Sequence, residues 1–234
     1  MQYKAILFDL DGTLLPMDYD EFSKGYFHLL SKVVAPYGYE KEPFLSAMMQ
    51  GVASMVKNNG EVPNCDRFWE TFSGLLDPEI YNLIPVFDDF YETDFNKTAS
   101  LTQPNPLAKE AVRIAGEKAE AVVLATNPLF PISAVTSRLS WLGLMPEDFD
   151  LVTDYENSAF CKPNPAYFVE ITETLNIAPE DCLMVGNNVV EDILPAQKLG
   201  LGTFLVTDCL IAEAPLPHCP QGSFSDLIQF LKSL

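Results

Sequence analysis

The chain has 234 residues, of which 48% are hydrophobic and 20% are charged. That length and composition are ordinary for a globular protein of one or two domains, and they exclude a disordered polyelectrolyte. With 33 acidic and 14 basic residues, the formal net charge is −19, which disfavours nucleic acid and anionic membrane surfaces as partners. Any site for a phosphorylated ligand must therefore be built from local groups.

The cysteines, the histidines and the apolar runs predict the cellular setting. The chain has five cysteines with no C-x-x-C pair and only two histidines, His28 and His218, so we expect no disulfide framework, zinc site or histidine catalysis. The apolar run before Asp9 is too short for a signal peptide, and no run approaches the ~20 residues of a membrane span. We therefore expect a soluble, cytoplasmic protein.

The first predicted element is a buried strand over residues 3–10, an apolar run that ends in the turn signal Asp-Leu-Asp-Gly-Thr. After it, apolar residues recur three and four apart over residues 20–95, with no strand pattern between them, which predicts a small helical bundle. The four helices of this bundle are predicted over residues 21–38, 42–60, 67–78 and 79–95.

From residue 106 onwards short apolar runs alternate with helical patterns. The alternation predicts βαβ units, and hence a doubly wound parallel sheet of the α/β class with helices on both faces. Strands are predicted over residues 119–126, 150–153, 182–186 and 202–206. Helices are predicted over residues 106–119, 133–144, 164–177, 190–200 and 223–234.

Two linkers divide the predicted architecture into two domains. Pro16 precedes the helical stretch, and the sequence LTQPNP follows it. We therefore expect an α/β core of residues 1–16 and 101–234, with residues 17–100 inserted as a helical cap.

Polar residues follow the predicted strands at the points where each strand ends. Because ligands of open α/β sheets bind at the carboxyl ends of the strands, we expect these residues to converge on one edge of the sheet. They are Asp9, Asp11, Thr126, Asn127, Lys162, Asn187, Glu191 and Asp192.

Four short motifs in this order, DLDGTLL, ATN, KP and VGNNVVED, resemble the haloacid dehalogenase (HAD) superfamily. The resemblance is to its phosphatase-type members, which have a helical cap inserted after the first strand. It implies a Rossmann-like core and an enzyme that hydrolyses a small phosphorylated metabolite.

The resemblance also implies roles for the motif residues. Asp9 would be the nucleophile that forms an aspartyl-phosphate, and Asp11 would act as general acid and then as general base. Lys162 would offset negative charge on the phosphoryl group, and Thr126 and Asn127 would hydrogen-bond its oxygens.

A Mg²⁺ ion is the implied cofactor, since an anionic nucleophile attacking phosphate needs charge compensation. Its protein ligands would be the carboxylates of Asp9 and Asp192 and the backbone carbonyl of Asp11. Gly186 and Asn187 would lie around the metal-bound waters. Asn187 stands where the family often has an acid, which predicts weaker metal binding.

Three further features have competing interpretations. Cys161 beside Lys162 is interpreted as core packing rather than as a redox-sensitive thiol, and Glu191 as a solvated acid at a helix start. The aromatic residues of the predicted cap are interpreted mainly as bundle core rather than as a pocket for an apolar leaving group. They are Phe22, Tyr26, Phe27, Phe68, Trp69, Phe72, Tyr81, Phe87, Phe90 and Tyr91.

Several other functions share this fold and stay open at this point. A haloacid dehalogenase needs neither Asp11 nor the metal. A phosphonatase needs a lysine in the cap, for which Lys24 and Lys32 are candidates. A phosphoglucomutase-like enzyme and a degenerate, non-catalytic binding module are the remaining alternatives. The sequence does not indicate the oligomeric state.

Overall fold

The computed structural model describes residues 3–234, which form one six-stranded parallel sheet and its surrounding helices. The strands lie in the order β3-β2-β1-β4-β5-β6. They are β1 (Ala5–Phe8), β2 (Ala121–Leu124), β3 (Leu151–Val152), β4 (Cys182–Gly186), β5 (Gly202–Val206) and β6 (Gln221–Gly222). The predicted α/β fold with a doubly wound parallel sheet is confirmed.

The centre of the sheet is formed by the three most apolar strands. All residues of β1, β2 and β4 are buried, as expected for parallel strands covered on both faces. The strand β6 was not predicted, because the two residues of Gln221–Gly222 are too few to show a hydrophobic pattern.

One helix of the α/β part, α5 (Ala108–Lys118), precedes β2. The helices after β2 are α6 (Ile132–Trp141), α7 (Ala166–Leu175), α8 (Leu194–Lys198) and α9 (Phe224–Ser233). The helix predicted over 190–200 is interrupted. A single π-helical turn, Val189–Ile193, precedes α8, and Pro195 lies in the first turn of α8, where a missing N–H is tolerated.

A helical insertion separates β1 from α5 and contains α1 (Tyr19–Val34), α2 (Lys41–Val56), α3 (Asn64–Leu75) and α4 (Ile84–Glu92). The fourth predicted helix is shorter than expected. It is flanked by 3₁₀ segments at Pro78–Leu83 and Asp94–Leu101, and Pro85 defines its start by occupying the first turn.

The two segments that connect this insertion to the sheet run side by side. The Gln103 N–H donates to the Pro16 carbonyl at 2.8 Å, and Met17 forms an isolated antiparallel bridge with Thr102. One hydrophobic cluster extends from β1 through Leu14 into the insertion. The division into core and cap at residues 16/17 and 100/101 stays a prediction.

Among residues 3–234, no helix is long and apolar enough to cross a membrane.

Candidate active site

The carboxyl ends of the three central strands bring the predicted site residues together. Asp9 follows β1, and its N–H donates to the Val185 carbonyl on β4 at 2.9 Å. Ala125 follows β2, and its N–H donates to the Phe8 carbonyl at 2.7 Å. These bonds continue the sheet register for one residue beyond the strands and place the three following loops side by side.

Lys162 lies between two carboxylates at this edge. Its Nζ is 2.9 Å from Asp9 Oδ1 and 2.7 Å from Asp192 Oδ1, although the three residues come from distant parts of the chain. The lysine is 1% exposed and Asp192 is also 1% exposed. The expected convergence of Asp9, Lys162 and Asp192 is therefore present in the structure.

The charges of this cluster are coupled. Burial alone would lower the pKa of Lys162, but the carboxylates of Asp192 and Asp9 outweigh burial and raise it, so the side chain is an ammonium ion. Burial raises the pKa of Asp192, and the lysine only partly opposes this. The single positive charge of Lys162 thus faces two buried carboxylates, Asp9 and Asp192. Negative charge remains that a further cation could compensate.

Thr13 links Asp9 to the fourth motif. Its hydroxyl lies 2.9 Å from Asp9 Oδ2 and 3.0 Å from Asn187 Oδ1. The Asn187 amide in turn donates to the Cys209 carbonyl at 2.6 Å. Gly12, with φ at +88°, brings the backbone close to this amide, and a Cβ there would lie 2.3 Å from Asn187 Nδ2. Thr13 was not singled out in the sequence, although it belongs to the DLDGT motif.

Asn127 and Glu191 face each other across the site. Asn127 Nδ2 donates to Glu191 Oε2 at 3.2 Å, and Asn127 Oδ1 accepts from the Lys162 N–H at 3.2 Å. The interpretation of Glu191 as a solvated acid is wrong, because it is half-buried and burial raises its pKa. Adjacent helical residues do point apart, but the longer Glu191 side chain still reaches Asn127 from the π turn.

Thr126 and Gly186 are the remaining predicted site residues at the carboxyl ends of β2 and β4. Thr126 is 2% exposed, and its carbonyl accepts from Thr153 Oγ1 at 2.7 Å and from the Tyr167 hydroxyl at 2.9 Å, which fixes the loop after β2. A Cβ on Gly186 would lie 2.3 Å from Asp192 Oδ2, so only glycine permits this approach of the carboxylate to the backbone.

Asp11 forms a buried ion pair with Arg138 of α6, a residue that the sequence analysis missed. The guanidinium is fully buried, and it lies 4.4 Å from the centre of the Phe130 ring. Asp11 Oδ1 and Arg138 Nη2 are buried and have no hydrogen-bond partner among residues 3–234. Burial raises the pKa of Asp11, although the positive charge of Arg138 acts in the opposite direction. The signal in the sequence was an arginine on the apolar face of α6, which also buries Ala134, Val135 and Leu139.

The predicted metal ligands are oxygen atoms of Asp9, Asp11 and Asp192. Among residues 3–234, no three His, Cys, Asp or Glu side chains form a metal-binding group. The predicted set, however, needs only two side chains, Asp9 and Asp192, and their carboxylates converge on the same ammonium group. Its third member is the Asp11 carbonyl, which accepts no hydrogen bond from any group in residues 3–234. This all-oxygen set suits Mg²⁺, which retains several waters.

A cavity of 310 Å³ lies between the helical insertion and this edge of the sheet. We call it the aromatic cavity, because eleven of its 21 lining residues are aromatic. Asp11 is the one predicted catalytic residue that lines it within the described chain. The interpretation of the aromatic residues as bundle core was incomplete: eight of the ten singled out line the cavity, and the exceptions are Tyr81 and Phe90.

Cys161 is buried beside the site, with Asn64 Nδ2 3.3 Å from its sulfur. Burial, with a smaller contribution from Glu191, raises its pKa to about 12. At pH 8 the thiol is therefore protonated, because a thiol stays neutral at any pH well below its pKa. We expect iodoacetamide to alkylate Cys161 roughly 10³-fold more slowly than an exposed thiol of pKa ~8.5.

Peptide mass spectrometry after timed alkylation at pH 8 measures this difference. The half-buried Cys209 is the internal control, and urea-unfolded protein should label both cysteines alike. Rapid labelling of Cys161 in the folded protein would show a reactive thiolate and contradict its interpretation as core packing.

Comparisons with known proteins agree with the motifs. A sequence model of haloacid dehalogenase-like hydrolases matches residues 3–200. The pyrophosphatase PpaX of Bacillus cereus (strain G9842) is 25% identical over 241 residues, which cover 100% of this chain and 99% of the relative.

Solved structures show the same fold. A HAD phosphatase from Thermococcus onnurineus superposes with a TM-score of 0.62 at 19% identity, covering 97% of each chain. A 2-haloacid dehalogenase from Pseudomonas syringae pv. Tomato DC3000 gives a TM-score of 0.63 at 18% identity, covering 99% of each chain. Since phosphatase and dehalogenase share this fold, the fold does not select the reaction. The match over residues 3–200 does establish the family, and the chain belongs to the haloacid dehalogenase-like hydrolases.

Proposed function

We propose that this hydrolase cleaves a small phosphomonoester with the help of Mg²⁺ and through an aspartyl-phosphate intermediate. The observation that supports this most directly is the contact of one buried ammonium group, Lys162 Nζ, with both Asp9 and Asp192. Two carboxylates held at one cation are suited to a phosphoryl group and a divalent ion. The similarity to a pyrophosphatase over the full chain favours phosphoryl chemistry as well.

In the proposed first step, an oxygen of Asp9 attacks phosphorus, and the bond from phosphorus to the leaving oxygen breaks. Asp11 donates its proton to that oxygen, which leaves as an alcohol. The raised pKa of Asp11, caused by burial, favours the protonated form that this step requires. In the second step Asp11 takes a proton from water, which attacks phosphorus and releases phosphate from Asp9.

The remaining residues of the site position the phosphoryl group and compensate its negative charge. In this proposal Lys162, Thr126 and Asn127 donate to the phosphoryl oxygens, and the bond from Thr13 orients the Asp9 carboxylate. Mg²⁺, when held by Asp9, Asp192 and the Asp11 carbonyl, would supply positive charge to the phosphoryl oxygens.

Two of the alternatives considered above, the dehalogenase and the phosphonatase, fit this chain less well. Dehalogenation requires neither Asp11 nor the metal ion that Asp192 would hold, yet both acids are present at the site. A phosphonatase would need a desolvated lysine beside the site, but Lys24 and Lys32 are exposed and neither lines the aromatic cavity. Phosphoryl transfer is therefore the chemistry that uses all of the converging residues.

A direct test is release of phosphate from an aryl phosphate by the purified protein, with Mg²⁺ and with a chelator. We expect turnover that depends on Mg²⁺. Release of halide from a 2-haloacid without phosphatase activity would instead indicate a dehalogenase. Isomerisation of a sugar phosphate without net release of phosphate would indicate a mutase, and binding without turnover would indicate a non-catalytic module.

The Asn187→Asp variant tests the fourth motif. The new carboxylate would face the Cys209 carbonyl, to which the amide now donates, so we expect a loss of ~1–3 kcal/mol in the free energy of unfolding. Asn187 reaches Asp9 only through Thr13, so we expect the gain in apparent Mg²⁺ affinity to be at most about tenfold.

Urea unfolding and a Mg²⁺ titration of activity measure these two effects. The exposed Asn82 provides the matched control, since Asn82→Asp adds the same charge far from the site. A variant as stable as the wild type, with unchanged Mg²⁺ dependence, would show that Asn187 serves neither the loop nor the metal site.

A further inference from the structure

The aromatic cavity begins at the residue that would protonate the leaving group. Asp11 is part of its lining, and most of the remaining lining comes from rings and methionines of the helical insertion. Its volume of 310 Å³ is about twice that of a cavity of ~150 Å³ that admits benzene. It therefore has room for a skeleton of one or two rings.

The charges around the aromatic cavity disfavour an anionic occupant. None of its described lining residues is a lysine or an arginine, and its charged members are the acids Asp11, Asp20 and Asp88. The nearby Arg138 guanidinium lies over the Phe130 ring, fully buried, and is paired with Asp11. A second phosphate or a carboxylate placed here would meet carboxylates and rings, with no cation to pair with.

The polar groups inside the cavity are largely satisfied by each other. The hydroxyls of Tyr26 and Tyr91 lie 2.8 Å apart and form one hydrogen bond, and both residues are buried. Tyr19, Ser23 and Tyr155 are the remaining hydroxyl-bearing residues of the described lining. The wall is thus apolar with few hydroxyls, which suits an uncharged ligand.

In-line displacement connects this cavity to the reaction. When Asp9 attacks phosphorus, the leaving oxygen lies on the opposite side and must be within reach of Asp11. Asp11 is itself a lining residue of the aromatic cavity. We propose that the substrate is the phosphate monoester of an uncharged alcohol with a largely apolar, ring-containing skeleton, and that this skeleton occupies the aromatic cavity. This inference rests on the proposed phosphomonoesterase function and narrows its substrate class.

Matched esters separate the contribution of the cavity from the reactivity of the leaving group. 2-Phenylethyl phosphate and ethyl phosphate both release a primary alcohol, whereas only the first has a ring to bury. We expect kcat/KM for 2-phenylethyl phosphate to exceed that for ethyl phosphate by on the order of 10- to 100-fold, because a phenyl ring leaves water. Pyrophosphate and phosphoglycolate, whose leaving groups are anionic, should be poorer substrates than ethyl phosphate.

Two variants connect the preference to the cavity. Trp69→Ala removes a lining ring and should reduce the ratio of kcat/KM values between the phenylethyl and ethyl esters. Met49→Lys places a cation in the lining of the cavity. Because the Met49 side chain is 53% exposed, folding should be unaffected. The variant should raise kcat/KM for the anionic esters relative to the phenylethyl ester. Trp141→Phe, outside the cavity, is the control and should retain the wild-type ratio.

Binding can be measured without turnover. The chain has two tryptophans, so Trp69 is the single tryptophan of the Trp141→Phe variant and its fluorescence can be excited selectively. Saturable quenching by 2-phenylethanol, absent with ethanol at the same concentration, would support the inference.

The outcomes distinguish the two proposals. Turnover of the anionic esters in preference to the phenylethyl ester would overturn the substrate class and leave the phosphatase function standing. Equal turnover of phenylethyl and ethyl phosphates, or a ratio unchanged by Trp69→Ala, would overturn the assignment to the cavity. Failure to hydrolyse any ester in the presence of Mg²⁺ would overturn the proposed function and this inference with it.

Discussion

The Asp9→Asn variant is expected to lose phosphatase activity by roughly three orders of magnitude or more, because an amide cannot act as the nucleophile. The fold should persist, since Lys162 keeps its contact with Asp192 at 2.7 Å and Thr13 can still donate to the side-chain oxygen. Steady-state turnover of an aryl phosphate measures the loss. Mass spectrometry of acid-quenched enzyme should detect a phosphoryl adduct in the wild type and none in the variant.

Asp89→Asn is the matched control, because Asp89 is an exposed carboxylate of α4 outside the site. It should retain wild-type turnover. Near-normal activity of Asp9→Asn would refute the aspartyl-phosphate mechanism, whereas loss of activity in both variants would point to a general effect of charge.

The Arg138→Met variant is expected to lose about 3–5 kcal/mol in the free energy of unfolding, because it leaves the largely buried Asp11 carboxylate without its counter-ion. For a chain of this size, that loss corresponds to a decrease in Tm on the order of 10 °C. Urea unfolding monitored by circular dichroism measures it. Burial already raises the pKa of Asp11, and removing the opposing charge of Arg138 would raise it further.

Two comparisons show whether the cost comes from the unpaired charge. The double variant Asp11→Leu/Arg138→Met replaces both partners by apolar side chains and should recover most of the stability, although it is inactive. Arg113→Met breaks the exposed pair with Glu117 and should cost no more than ~0.5 kcal/mol. A cost for Arg138→Met as small as that for Arg113→Met would show that the buried pair does not stabilise the fold.

The sheet and most of the helices could be predicted from the sequence because each has a local pattern. Four-residue apolar runs such as AILF and AVVL define strands that are buried on both faces, and helical spacing defines the insertion. The failures were also local. Pro85 and Pro195 lie in the first turns of α4 and α8, inside apolar patterns that predict longer, continuous helices. The strand β6 is too short to have a hydrophobic pattern.

The convergence of Asp9, Lys162 and Asp192 could be predicted because each lies just past a strand or in the adjacent loop. In a parallel sheet those ends meet at one edge, so order along the chain is enough to place them together. The contacts of Lys162 with both acids agree with that reasoning.

The sequence by itself determined the α/β class, the helical insertion and the identity of the residues at the sheet edge, since all three follow from periodicity and motif order. Only the tertiary structure decided that Arg138 pairs with Asp11, that Glu191 reaches Asn127, and that the rings of the insertion enclose a cavity. These features depend on which side chains from distant segments meet, and on whether packed rings leave space between them. Neither property has a period along the chain, because both arise from the relative placement of elements that are already folded.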